Sequence, residues 1–538
     1  MPIAAVFFLA LTPSVNIWPQ LISTTLPRYL TNSAVLVLGV GALAGSVGTG
    51  AAWLVTMYRF PGAKWLQWAL LLPLAIPAYV GAYALVDFLE YAGPVQTWAR
   101  RVFGWSSARD YWFPEIRSRG AAIFVLGSAL YPYVYLMVRT ALREQSAGAF
   151  EVARALGAGP IRRFTGVGLP LVRPAIAASI AIVMMETVSD FGAVSYFAVQ
   201  TLTTGIFSTW LDGGSAGGAA QIASLILIVV FALVVLERAS RRHLRFAQAP
   251  RQPRPYTAVR LRGWPGWTAA MLCFLPFAMG FLLPGGVIVV HGARNIDGFW
   301  DPALIQAFRN TLVTCGAAAL LTLIGALFLT YAVRMAGSGL SALLLPLTTV
   351  GYAAPGAVLG VGILLPLAAL DHTLADGIEF ISGTDPGLLL TGSSFALIYA
   401  YSVRFFAIAQ GATDGGLGRI SPSLSMAARS LGQSASGTLR RVTLPIMRAS
   451  IGSALLLVFV DCVKELPATL LLRPFNFNTL STRTYEKASL EQIGNAAPAA
   501  ILVILVSLMA VILLARANRD PDGLRGMHER RKPAAVPR

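Results

Sequence analysis

The sequence predicts an all-α polytopic membrane protein of about twelve crossing helices, built as two parallel six-helix repeats. Three observations carry this expectation. Hydrophobic residues make up 56% of the 538 residues and charged ones only 12%, about half the share of a soluble domain. Apolar runs of about 20 residues, enough to cross a hydrocarbon core, recur from end to end. One polar loop is written twice, as EVARALGAGPIRRFTGVGLPLVRP at 151–174 and as MAARSLGQSASGTLRRVTLPIMRA at 426–449.

In chain order, spans are expected at 33–57, 66–89, 120–139, 174–198 and 219–237, then at 267–290, 310–333, 342–369, 388–410, 450–472 and 498–515. The N-terminal PIAAVFFLALTPSVNIW is a short further candidate, interrupted by Pro13. It lacks the basic start and cleavage site of a signal peptide, and a late start codon is one reading of its length. With twelve spans and the N-terminus inside, the inner breaks are 58–65, 140–173, 238–266, 334–341, 411–449 and 516–538. About two-thirds of the 42 Lys and Arg fall there, as the positive-inside rule requires. The net charge of +18 is therefore assigned to membrane topology, and nucleic acid is not expected as a partner.

The repeat sets the domain division. Aligning Gly157 with Gly432 gives an offset of 275 residues, which also pairs Ala153 with Ala428, Leu156 with Leu431 and Val167 with Val442. Leu169 and Pro170 pair with Leu444 and Pro445. An even number of spans separates the copies, so both loops lie on one face. The expected units are a first repeat 1–240, a basic Pro-rich linker 241–265, a second repeat 266–515 and a basic tail 516–538. Each loop reads as a short helix, a glycine turn and a Pro-led return into the membrane.

Cys273, Cys315 and Cys462 lie apart in apolar runs and read as buried free thiols. The four histidines are scattered, and neither a catalytic constellation nor a metal site is expected. No G-x-x-x-x-G-K-[ST] phosphate loop is present. Gly39-x-Gly41 and Gly360-x-Gly362 fall within spans and read as helix packing. The chain is thus expected to bind no cofactor and to be no enzyme. Tyr131, Tyr133 and Tyr135, with Tyr399 and Tyr401, read as packing or belt residues.

The repeated loop resembles the EAA motif of ABC importer permeases. The first copy matches at Glu151, Ala153, Gly157, Val167, Leu169 and Pro170, with Val152 departing from the pattern. The second matches at Ala427, Ala428, Gly432, Val442, Leu444 and Pro445, with Met426 in place of the acid. The stretches 68–88, 185–207 and VKELPATLLLRPFNFNTLSTRTYEKAS (463–489) look like the fused permeases of ferric iron importers. The resemblance implies a type I importer fold, with two equivalent bundles around one pore in the bacterial inner membrane and both termini inside. It implies that each motif forms a coupling helix seated in a groove of an ATP-binding subunit, the acid meeting a basic residue there. Two such ATPase subunits, which use the ATP, and a periplasmic substrate-binding protein are the implied partners besides the lipid bilayer. Thiamine, polyamine and phosphonate permeases share the motif, so these cargoes stay open beside ferric iron. A proton-driven secondary transporter would use buried acids but has no need of matched loops.

Four acids fall within the spans, where each costs at least about 2.5–3.5 kcal/mol. Glu186 and Asp190 correspond at the same offset to Asp461 and Glu465, each pair spaced to share one helix face. Two readings are open. The acids line or gate the translocation path and favour a hard multivalent cation such as Fe³⁺, or they form interhelical ion pairs, with Lys464 beside Asp461 and Arg404 reaching from another span.

Overall fold

A computed structural model of the chain describes residues 2–13, 16–145, 147–242, 258–336, 351, 354–418 and 420–517. Among them, ten helices are long and apolar enough to cross a membrane, and a bent pair makes an eleventh. The spans are Leu26–Met57, Arg119–Glu144, Pro160–Ser189, Ala216–Glu237, Trp264–Arg294, Pro302–Arg334, Gly356–Ser382, Phe395–Gly418, Ser436–Lys464 and Ile493–Leu513. Strand is confined among the described residues to a two-residue parallel pairing of Tyr58–Arg59 with Val259–Arg260. Most of the 241–265 linker and nearly all of the 516–538 tail lie outside the described residues.

Several expected spans are redrawn, each for a local reason. The N-terminal candidate is a helix over Pro2–Leu11; it rises about 15 Å, half of a hydrocarbon core of about 30 Å. The 66–89 span is two helices, Ala63–Ala75 and Ala78–Phe103, meeting at 95°. Pro77 drives the break, since it holds Ile76 extended and donates no N–H. The 174–198 span ends at Ser189 and the 450–472 span at Lys464, and each resumes as a short helix, Gly192–Tyr196 or Pro467–Leu472.

Part of the 342–369 span lies outside the described residues, and its described helix runs on to Ser382. The 388–410 span begins only at Phe395. The buried Asp371 accepts the backbone N–H groups of Leu389, Leu390 and Thr391 and the Thr391 hydroxyl (2.6–3.1 Å), holding that stretch as a loop.

The repetition extends to single hydrogen bonds. Asn32 Nδ2 donates to Gln200 O (2.8 Å) and Ser33 Oγ accepts from Leu202 N (3.1 Å). Their counterparts are Asn310 Nδ2 to Asn478 O (3.0 Å) and Leu480 N to Thr311 Oγ1 (2.8 Å). Thr201 and Thr479 each close a capping box with the threonine three residues on. The halves also interlock. Helix 2–11 packs on helix 356–382 of the second half, and the far end of helix 264–294 packs on 78–89 of the first. Both large apolar clusters accordingly mix residues of the two halves.

Small residues allow the close crossings, as expected for lipid-embedded helices. Gly39 and Gly41 lie against Ile123 and Met184, and Gly360 and Gly362 lie against Leu471 and helix 2–11. The three cysteines are buried and free.

At Gly48, a Cβ would fall against Val134 and the backbone of Tyr131 and Tyr135, whereas at Gly50 it would meet nothing. Gly48→Ala is expected to lower the thermal midpoint of the detergent-solubilised chain by the equivalent of about 1–3 kcal/mol. Gly50→Ala should not lower it, since alanine is the better helix former. Equal midpoints for the two variants would contradict this packing.

Candidate functional site

The two repeated loops are built alike. Helix Ala147–Ala155 and helix Pro422–Ser430 each end in a glycine turn. In the first, Gly157 N donates to Arg154 O (3.0 Å) and Ala158 N to Ala153 O (2.9 Å). In the second, Gly432 N donates to Arg429 O (3.0 Å) and Gln433 N to Ala428 O (3.1 Å). This is the Schellman arrangement, which places its glycine in the left-handed region; φ is +77° at Gly157 and +82° at Gly432. No atom would touch a Cβ at either position, so backbone conformation, not space, selects glycine.

The Leu-Pro pairs have a separate cause. A proline ring collides with the carbonyl four residues back. Ahead of Pro170 and Pro445 the helix therefore widens into a π turn, Phe164–Gly168 or Leu439–Thr443, where Leu169 N reaches Phe164 O and Leu444 N reaches Leu439 O.

The motif residues divide between two surfaces. Ala153 is half-buried and Ala428 buried, while Glu151, Met426 and Ala427 are exposed. Val167 and Val442 are half-buried, and Pro170 and Pro445 are exposed. Leu156 and Leu431, at equivalent positions, are 82% and 83% exposed. An anchor that the sequence reading missed holds the first loop. Trp53 packs against Phe150 and Phe164 at 5.9 and 5.1 Å between ring centres, with Gly168 against its ring. Trp53 lies about a hundred residues upstream, so no local pattern could mark it.

The four intramembrane acids come together. Glu186, Asp190, Asp461 and Glu465 line one cavity of ≈ 170 Å³, closed by Tyr79, Tyr133, Arg404 and Lys464. The expected single helix face is not how they meet, because the second acid of each pair lies just beyond its helix, in extended backbone. Asp190 Oδ1 accepts Ala193 N (3.0 Å) and Val194 N (3.1 Å), and Glu465 Oε1 accepts Ala468 N (3.1 Å). Each carboxylate thus caps the short helix that follows the break.

Arg404 reaches across from another span, as expected, and the acid it meets is Glu465; Lys464 makes its hydrogen bond elsewhere than to Asp461. Arg404 Nε pairs with Glu465 Oε2 (3.2 Å), and Lys464 Nζ donates to Leu74 O across the two halves (2.5 Å). At the equivalent positions the first half has Ala129 and Ser189, so both cavity cations come from the second half. Of the tyrosines, Tyr133 reaches the cavity, Tyr135 donates to Gln67 O (2.9 Å) and Tyr401 meets Thr469 (2.5 Å). Among the described residues, no cluster of three metal-ligating side chains forms.

A family described as "Binding-protein-dependent transport system inner membrane component" matches residues 41–245. The Fe(3+)-transport system permease protein FbpB 2 of Haemophilus influenzae is 28% identical over 493 residues, 90% of this chain and 89% of that one. The ferric transport system permease protein FbpB of Actinobacillus pleuropneumoniae is 24% identical, over 90% of this chain and 70% of its own. The putative 2-aminoethylphosphonate transport system permease protein PhnV of Salmonella typhimurium is 32% identical over 199 residues, 36% of this chain and 68% of that one.

Arg404→Met leaves a buried carboxylate without its cation, and a loss of about 3–5 kcal/mol is expected. Adding Glu465→Gln keeps an acceptor for Ala468 N while removing the charge, so the double variant should regain most of that loss. Thermal unfolding of the two variants checks this; no recovery in the double variant would rule out the ion pair as the cause.

Proposed function

The chain belongs to the family of binding-protein-dependent transport system inner membrane components, and from that premise we propose that it is the permease subunit of an ATP-driven importer of ferric iron. One observation carries the cargo: the ferric relatives match 85–90% of this chain, through both halves. The molybdenum and phosphonate relatives match 35–36% of it. The same architecture carrying a phosphonate is the competing reading, favoured by the 32% identity of that shorter match.

In this reading the chain comprises two permease repeats, 1–240 and 266–515, joined by the linker 241–265 and closed by the tail 516–538. It lies in a bacterial inner membrane with both termini and both loops in the cytoplasm. A periplasmic protein delivers the cargo, and two copies of a separate ATP-binding subunit hydrolyse ATP, each seated on one loop. Leu156 and Leu431 offer apolar contacts there, supported by their exposure, and Glu151 a charged one. Met426 leaves the second dock without that acid. Hydrolysis can drive the bundle only through unequal affinity for its two states. The inward-facing Ala153 and Ala428 couple each loop to the spans.

Glu186, Asp190, Asp461 and Glu465 line the path. Their carboxylates are hard oxygen groups suited to a hard cation, and two cations offset four acids around the cavity. The pocket is a transit point, and its charge favours a cation over an oxyanion.

Uptake of radiolabelled ferric iron by cells carrying the cognate binding protein tests this reading. Glu186→Gln with Asp190→Asn should lower the rate by at least about ten-fold, the effect of roughly 1.4 kcal/mol on a barrier, with membrane insertion unchanged. Normal uptake would remove the acids from the path. Gly157→Val with Gly432→Val should reduce both uptake and ATPase co-purification; intact coupling would overturn the docking assignment.

A further inference from the structure

A broad groove, ≈ 1080 Å³, lies away from the central cavity, between helix 264–294 and the segment 87–101. Helix 264–294 starts beside the strand pairing at the Trp53 end of helix 26–57, so Arg294 lies on the face opposite the repeated loops. On this helix, Met279, Leu282, Gly286, Val290 and Arg294 recur every three or four residues along one strip. The strip rises about 22 Å from Met279 to Arg294. One leaflet of hydrocarbon is about 15 Å deep, with a headgroup layer of some 5–7 Å beyond it.

The facing wall leads into helix Pro94–Phe103, whose exposed Trp98, Val102 and Phe103 suit the membrane interface. Five charged or titratable groups line the groove: Asp87, Glu90, Arg101, His291 and Arg294. Asp87 pairs with His291 (2.8 Å) and Glu90 with Arg117 (3.2 Å). Arg101 and Arg294 are exposed and make no side-chain hydrogen bond or ion pair among the described residues.

We propose that this groove is a binding site for an anionic phospholipid, with an acyl chain along the 279–290 strip and the phosphate between Arg101 and Arg294. The apolar strip ends in two unpaired cations at the depth where headgroups lie, so one molecule satisfies both parts. The lipid would join the first helix of the second half to the 78–103 segment of the first, bracing their contact. This inference depends on the membrane-spanning fold and not on the cargo.

The full-length chain in mild detergent, titrated with phosphatidylglycerol and read by native mass spectrometry, tests the proposal. Phosphatidylglycerol should bind more tightly than phosphatidylcholine, and inorganic phosphate should not displace it. Arg101→Gln with Arg294→Gln should weaken binding about thirty-fold, from the typical contribution of two basic residues near a lipid surface. Gly286→Leu keeps both charges and fills open space in the groove, since a Cβ there meets nothing; it should weaken binding as well. Wild-type affinity in both variants, equal binding of the two lipids, or displacement by phosphate alone would each overturn the proposal. Should the double arginine variant fail to insert, Arg294→Gln alone gives the same reading with a smaller loss.

Discussion

Inside hydrocarbon, every backbone N–H and C=O must find a partner within the protein. Besides the bend at Pro77, this chain breaks two of its spans inside the bundle, after Ser189 and after Lys464. The breaks are tolerable because they are enclosed by protein and because the residue at each one is an acid. Asp190 and Glu465 supply the acceptors for the first amides of the helices that follow. The carboxylates that line the central cavity are thus the same groups that make the irregular backbone around it possible. Structure and candidate path are inseparable here, which is why simple removal of these side chains confounds folding with function, while amide replacements keep the cap and remove only the charge.

The halves repeat in backbone but differ in charge. Capping boxes, π turns and Schellman glycines recur at fixed offsets, because each answers a local geometric need that both copies share. The cavity cations do not recur: Arg404 and Lys464 face the cavity from the second half, where the first half has Ala129 and Ser189. The loops differ as well, Glu151 on one and Met426 on the other. Nothing in a repeated backbone requires equal charge, so one half can bear the electrostatic balance of a cavity that both halves build.

Interlocking limits how the halves can move. Helix 2–11 lies on the second half and the end of helix 264–294 on the first, and Lys464 holds the Leu74 carbonyl across them. Any rocking of one half against the other must carry these exchanged helices with it and break that bond. The groove beside helix 264–294 lies at one of the two exchanged contacts, where an occupant bears directly on the relative position of the halves.

The amino-acid sequence alone determined the membrane class, most of the spans, the double loop and the four matched acids. These follow from composition, from run length and from an offset between similar segments, all of which are properties of the chain in one dimension. It also placed glycine where the loops turn, because a left-handed residue has a local signature. Tertiary structure decided where the spans break, since Pro77, Asp190 and Asp371 act through partners or angles that hydropathy does not register. It also decided which cation meets which acid, placing Arg404 on Glu465 from 61 residues away in the chain, and it set Trp53 under the first loop. Periodicity reports which residues avoid water; it carries no record of which distant side chain completes a charge or a ring contact, and only packing in three dimensions fixes that.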